Sequence, residues 1–234
     1  MMSNETELMG IDALVAAFQD VGVKQYGYEY VTAEFSVFKD FKVQWSRSLR
    51  VIRFKVSDYL EDAPYAVFES LAQTLFARIQ GKEEVPYKRA MREWVLSPKF
   101  SESKRFRYIN RSSTITGSTR GYERDLKDSI DRLAEMGLID RDSGIAVSWS
   151  LDGDSPRAAS CSVLFKLIVV SRQLDDLNIP DFVVDYAVYS QYLRIVKGAE
   201  VFGFTTEVCT RDEEKRFEKY YEAERLLDKM SLYL

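Results

Sequence analysis

The fold of the second half of the chain is decided by residues 179–195, which read IPDFVVDYAVYSQYLRI. Apolar and aromatic side chains recur in this stretch at helical spacing: Ile179, Phe182, Val183, Tyr186 and Leu193. The spacing predicts a helix near 179–196, with Pro180 tolerated in its first turn and Ser190 on the buried face. The buried face of this helix therefore includes a hydroxyl group.

Patterns on both sides of this helix indicate a small sheet and further helices. Strands are predicted at 30–32, 41–45, 49–54, 145–150 and 162–170, the last nearly all apolar and therefore central. Helices are predicted at 11–18, 63–79 behind an Asp62 N-cap, 88–96, 120–136 and near 211–230, where Thr210 and Glu213 have capping-box spacing. Gly81 and Gly137 are placed to end two of these helices. The order of elements predicts an α+β fold with a small mixed or antiparallel sheet packed against helices.

The domain organisation follows from the lack of any dividing segment. No internal repeat, low-complexity tract or Pro/Gly-rich linker interrupts the 234 residues. We expect residues 1–48, an N-terminal helix and strands, to belong to the same domain as residues 49–234.

Composition sets limits on partners and compartment. The net charge of −4 and the pI near 5.2 give no overall electrostatic reason to bind nucleic acid or an anionic membrane. Two cysteines, Cys161 and Cys209, are too few for a disulfide framework or a Cys-only zinc site. The N-terminus lacks the features of a secretory signal, and no apolar run approaches membrane-spanning length. We therefore expect a cytoplasmic protein with no membrane partner.

The chain contains no histidine. It therefore cannot build a His-containing zinc site or a Ser-His-Asp or Cys-His nucleophile system. Two kinds of chemistry do not need histidine: carboxylate sites for magnesium or calcium, and acid/base catalysis by Asp, Glu, Lys or Tyr. The sequence shows no motif for either. A divergent metal-dependent hydrolase with a non-His site remains an alternative function.

From about Arg50 to the C-terminus the chain resembles zincin-type metallopeptidases of the SprT-like and minigluzincin families. The resemblance is carried by Leu174-Asp175-Asp176, by IPDFVVDYAVY at 179–189 and by SQYLRI at 190–195. In such families a helix carries His-Glu-x-x-His after an aspartate-tyrosine pair, with a hairpin before it and a third ligand near a final helix. The resemblance implies a zincin-like fold over residues 49–234.

Three residues stand at the motif positions, namely Ser190, Gln191 and Arg194. Residues at i and i+4 share one helix face, so two imidazoles there bind one zinc while the glutamate activates its water. Serine is a poor ligand, glutamine cannot accept the water's proton as a carboxylate does, and arginine repels a cation. Cys209, near the third-ligand position, supplies only one thiolate. The resemblance therefore implies a pseudoenzyme with no catalytic residues, no metal and no cofactor.

A scaffold of this kind is expected to bind a protein or peptide partner. In active relatives an edge strand of the hairpin, here near 162–170, holds extended substrate by backbone pairing. The alternative is a DNA-associated SprT-like module, because basic residues interleave with aromatic ones at 99–111: Lys99, Lys104, Arg105, Arg107 and Arg111. These aromatic residues can equally face the core while the charges cover a solvated surface.

Arg194 raises a further hypothesis. On a half-buried face its guanidinium needs a partner, and Glu213, Glu214 and Glu218 of the last helix are the candidates. The alternative is that Arg194 extends to solvent from the end of its helix.

Three weaker patterns complete the set. Residues 112–121 are rich in hydroxyl groups and glycine before a helix, which is typical of an anion-binding turn or, as we favour, a flexible connector. Four aspartates could gather a hard cation or serve as loop and cap residues: Asp152, Asp154, Asp175 and Asp176. Cys161 precedes an apolar strand and is expected in the core.

Overall fold

The computed structural model describes residues 10–82, 85–151, 156–201 and 205–234. The chain divides into two compact units, Met1–Ser97 and Pro98–Leu234, and each unit contains one three-stranded sheet. On sequence alone, residues 1–48 are separated from residues 49–234. The structure instead keeps the strand Val51–Ser57 in the first unit, because it pairs with both strands that precede it. The fold is α+β with two small mixed sheets.

The first unit places helices before and after a sheet. Its elements are α1 (Gly10–Lys24), β1 (Tyr30–Ser36), β2 (Val43–Ser48), β3 (Val51–Ser57), α2 (Tyr65–Ile79) and α3 (Arg89–Val95). The strand order is β1-β3-β2, with β1 parallel and β2 antiparallel to β3. The predicted strands and helices in this unit are confirmed, although the N-cap of α2 is Pro64 and not Asp62.

Alternation along β3 explains how this sheet acquires a buried face. Ile52, Phe54 and Val56 are buried, whereas the intervening Arg53 and Lys55 are exposed. Phe54 packs edge-to-face against Phe18 of α1, with ring centroids 4.8 Å apart. Helices α1 and α2 therefore cover one side of the sheet and leave the other open.

The second unit surrounds one long helix. Its elements are α4 (Pro98–Arg111), α5 (Leu126–Glu135), β4 (Ala146–Trp149), β5 (Ala159–Ser162), β6 (Leu167–Val170), α6 (Asp181–Glu200), α7 (Arg211–Glu214) and α8 (Tyr220–Lys229). The strand order is β4-β6-β5, with β4 parallel and β5 antiparallel to β6. Helix α6 confirms the helix predicted near 179–196. It contributes more buried residues to this core than any other described element and packs against α5, β5, β6 and α8.

Two predicted elements are divided in the structure. The apolar run 162–170 is not one strand, because residues 163–166 turn and Lys166 has a φ of 44°. The run therefore ends β5 and forms β6, which is central as predicted. The C-terminal helix near 211–230 is two helices, α7 and α8, and Thr210 does not cap α7 because its hydroxyl donates to Glu214 Oε1 at 2.6 Å.

Glycine ends two helices as predicted. Gly137 has a φ of 69°, and the N–H of Leu138 donates to the Leu133 carbonyl at 3.0 Å. Gly81, with a φ of 87°, follows α2 in the same way. The left-handed conformation lets the last carbonyls of each helix find donors.

Within the described ranges, every helix is too short or too polar to cross a membrane.

Candidate functional site

The first two motif positions lie inside the core of the second unit. Ser190 has no exposed surface and Gln191 is 2% exposed. The Gln191 amide donates to Ser190 Oγ at 3.3 Å, so the two polar side chains partly satisfy each other. Neither side chain lines the cavity described below.

Arg194, one turn later on α6, is half-buried and lines that cavity. Its Nε is shielded from solvent and has no hydrogen-bond acceptor among the described residues. The predicted pairing with Glu213, Glu214 or Glu218 is wrong for these residues, since Glu213 binds Lys197 Nζ at 2.5 Å and none of the three forms an ion pair with Arg194. The Nε is enclosed, but the residue as a whole keeps some exposed surface, so extension of the Arg194 guanidinium toward solvent stays a prediction.

The cavity has a volume of about 400 Å³ and is formed by α6, α7, α8 and the segment after α8. Five charged residues line it: Arg194, Arg211, Glu214, Glu224 and Asp228. The two arginines come from α6 and α7, whereas Glu224 and Asp228 lie one turn apart on α8. Glu214 lies on α7 with Arg211, so the cavity lining carries both basic and acidic groups.

Glu214 is tied to neutral donors. Its Oε1 accepts from the Thr210 hydroxyl at 2.6 Å, and the Tyr186 hydroxyl lies 3.3 Å from its Oε2. The same Tyr186 hydroxyl donates to Glu224 Oε1 at 2.6 Å. Burial, the hydrogen bond to Glu224 and the charges of both carboxylates raise the pKa of Tyr186 far above its ordinary value. The Tyr186 hydroxyl therefore holds the two carboxylates close together, with its hydrogen bond to Glu224 the shorter of the two contacts.

The two cysteines lie in different environments. Cys161 on β5 is half-buried, and burial raises the pKa of its thiol to about 12 against the opposing effect of the Arg194 charge. Cys209 is exposed and lines the same cavity as Arg194, so the structure brings the predicted third-ligand position and the Arg194 motif position to one cavity. In the described part of the chain no three Cys, Asp or Glu side chains are grouped to hold a metal ion.

An extended segment pairs with the sheet just before the edge strand β5. Tyr233 forms a parallel β-bridge with Arg157. The Ala158 N–H donates to the Tyr233 carbonyl at 2.8 Å, and the Tyr233 N–H donates to the Pro156 carbonyl at 2.9 Å. Leu232 is buried beside it. The segment also lines the Arg194 cavity. No feature of the sequence predicted this pairing.

Asp175 is a structural anion and not a cation ligand. Its carboxylate accepts from the backbone N–H groups of Tyr122 at 2.5 Å, Glu123 at 3.2 Å and Arg124 at 3.0 Å, and from Arg172 Nη1 at 3.1 Å. The loop before α5 is thus an anion-binding turn whose anion is a side chain. Of the other aspartates in the proposed cation site, Asp152 and Asp154 lie outside the described residues, and Asp176 accepts from Asn178 N–H at 2.8 Å.

A buried ion pair fixes α6 against α5. Arg132 donates to the Asp185 carboxylate from Nε at 2.8 Å and from Nη2 at 2.7 Å. The Asp185 side chain is 3% exposed. The sequence contains both residues at helical positions, but their contact joins residues 53 positions apart. Periodicity alone therefore could not pair them.

The basic residues at 99–111 lie on helix α4 but do not share one solvent-facing strip. Lys104 is 5% exposed, and Arg105 donates to the Phe165 carbonyl at 2.7 Å and to the Gly144 carbonyl at 2.6 Å. Lys99 is exposed, whereas Arg107 and Arg111 are half-buried.

The aromatic residues of this helix divide between core and surface. Phe100 and Tyr108 stack on Phe165, with centroid distances of 6.2 and 4.3 Å. Phe106 instead is exposed. Two of the three aromatic side chains named here therefore serve packing.

Comparison of the chain with protein-family models, with curated proteins and with solved structures gives no match. The resemblance to SprT-like and minigluzincin peptidases therefore stays a prediction from the residues quoted above.

Proposed function

We propose that the chain is a non-catalytic, metallopeptidase-like scaffold that binds a protein or peptide segment beside strand β5. The observation that carries the proposal is the pairing of Tyr233 with residues 156–158, because it places an extended segment against this sheet edge and beside a cavity. A second extended chain can continue along β5 by the same backbone hydrogen bonds.

The placement of the motif positions supports a binding role. Ser190 and Gln191 are enclosed in the core, whereas Arg194 and Cys209 line the cavity. Hydroxyl, amide and guanidinium groups supply neither a zinc ligand set nor a general base. The cavity volume of about 400 Å³ suits one or two side chains of a bound segment.

The order of elements also supports the proposal. The hairpin β5–β6 precedes α6, and α7 and α8 follow it, which is the order that the resemblance implies for a zincin-like unit. An edge strand beside the central helix is where such a unit presents a groove.

The binding test uses a labelled library of N-acetylated, C-amidated octapeptides, with affinity read by fluorescence anisotropy. We expect saturable binding of a subset, and at least tenfold weaker binding once alternate backbone amides of the best peptide are N-methylated, because β-pairing uses those N–H groups. The proposal fails if no peptide binds, or if N-methylation changes nothing.

A second measurement addresses catalysis directly. Elemental analysis of the purified protein is expected to give far less than one zinc per chain. Zinc near one equivalent, together with peptide hydrolysis that a chelator abolishes, would establish the hydrolase alternative instead.

A further inference from the structure

The starting point is the guanidinium of Arg194, which lies at the wall of the cavity without a partner. Its Nε is enclosed and has no acceptor among the described residues, and no carboxylate there forms an ion pair with it. A shielded charge without a partner is unfavourable, so the fold retains a group that an incoming anion would stabilise.

The neighbouring carboxylates are engaged elsewhere. Glu213 binds Lys197 at 2.5 Å, and Glu214 accepts from Thr210 at 2.6 Å. Tyr186 donates to Glu224 at 2.6 Å. These three carboxylates therefore have other partners, and Asp228, which also lines the cavity, forms no ion pair with Arg194 among the described residues.

The distribution of charge narrows the class of ligand. A simple dianion such as phosphate would meet Arg194 and Arg211 but also Glu224 and Asp228 on α8. A ligand that carries both a carboxylate and a cation is complementary to the arginines and to the carboxylates of the cavity. Arginine is suited to the carboxylate because its planar fork forms two parallel hydrogen bonds.

We infer that the cavity binds a peptide segment with an acidic side chain directed at Arg194 and a neighbouring basic side chain directed at Glu224 and Asp228. This inference rests on the proposed function and names the ligand chemistry of that same site. A free amino acid or dipeptide presents the same pair of charges, and the experiment separates it from a chain segment.

The experiment compares four capped hexapeptide probes that differ only at positions 3 and 5, whose side chains lie on the same face of an extended chain. The probes are named by those two residues: Glu-Lys, Gln-Lys, Glu-Gln and Gln-Gln. Binding is measured to the full chain and to the variants Arg194→Gln, Asp228→Asn and Arg225→Gln. Arg225 is exposed on α8 and does not line the cavity, which makes it the matched control. Uncapped lysyl-glutamate serves as the free dipeptide.

We expect Arg194→Gln to weaken binding of the Glu-Lys probe by about tenfold to a hundredfold, since a hydrogen bond to a charged group has that effect on affinity. Binding of the Gln-Lys probe should change less than threefold, and Asp228→Asn should affect only probes that contain Lys. Arg225→Gln should have no effect. A preference for uncapped lysyl-glutamate over the capped probes would assign the cavity to a free zwitterion and overturn the inference.

Thermal unfolding of each variant separates a binding role from a structural one. Removal of an unpaired, shielded charge should leave the unfolding midpoint of Arg194→Gln unchanged or raise it. A lowered midpoint would show that Arg194 stabilises the fold and would overturn the inference. Equal binding of the Glu-Lys and Gln-Gln probes would refute the inference alone, whereas no binding of any probe would also refute the proposed function.

Discussion

Substitution of Asp175 by asparagine tests whether the loop before α5 is held by one carboxylate. The carboxylate accepts three backbone N–H groups and the Arg172 guanidinium, and its side chain has no exposed surface. The amide of asparagine keeps one acceptor oxygen but turns an NH₂ group toward the remaining donors. Two of the four donors then lose their acceptor, either Tyr122 N–H with Arg172 or the N–H groups of Glu123 and Arg124, at about 1–3 kcal/mol each.

We therefore expect Asp175→Asn to lower the free energy of unfolding by about 2–6 kcal/mol. The measurement is urea denaturation at neutral pH, followed by far-ultraviolet circular dichroism. Asp176→Asn is the matched control, because Asp176 is exposed and its carboxylate accepts from Asn178, two residues later in the chain. Equal stability of the two variants would refute the assignment of the carboxylate as the anchor of this loop.

The same substitution should change the pH dependence of stability. Burial alone raises the pKa of Asp175, but the hydrogen bonds from the loop and Arg172 outweigh it, so the pKa lies below its ordinary value. The unfolded chain then binds this proton more readily than the folded chain. The stabilisation is complete above the unfolded pKa of about 3.9 and is lost as the pH falls below it. The difference between wild type and Asp175→Asn should shrink over that acidic range.

Two further outcomes follow from the structure. Cys209 should react with iodoacetamide at pH 8 while Cys161 does not, because burial raises the pKa of the Cys161 thiol to about 12. The measurement is peptide mass spectrometry of the labelled protein, and equal labelling of the two cysteines would contradict the placement of Cys161. Ser231→Gly should raise the free energy of unfolding by about 0.5–1 kcal/mol, because Ser231 has a φ of 55° that glycine adopts without strain. The measurement is urea denaturation, and an unchanged midpoint would contradict this expectation.

Local sequence patterns predicted most helices and strands. Where a predicted boundary was wrong, a contact between residues distant in the sequence set the observed one. Helix α3 and the glycine ends of α2 and α5 depend on neighbouring residues and were confirmed. The helix predicted at 120–136 begins only at Leu126, because the backbone N–H groups of 122–124 bind Asp175 instead of continuing the helix. Asp175 lies some fifty residues away, so periodicity gave no indication of it.

The candidate site was predictable in part. The burial of Ser190 followed from its place on the apolar face of α6. The failure of the predicted Arg194–Glu213 pair was not predictable, because Lys197 lies one turn further along α6 and binds Glu213 instead. The four-residue spacing of Glu224 and Asp228 indicates two carboxylates on one helix face, but only the fold brings them to the same cavity as Arg194.

The enclosure of Ser190 bears on whether a metal centre could be rebuilt in this helix. An imidazole at that position would have to fit where a hydroxyl now fills a site with no exposed surface. Inserting a larger group into a packed interior costs about 1–3 kcal/mol before any ion is bound. Reversal by point substitution therefore meets a steric barrier as well as a chemical one, and a descendant of this chain would have to widen its interior before it regained ligands.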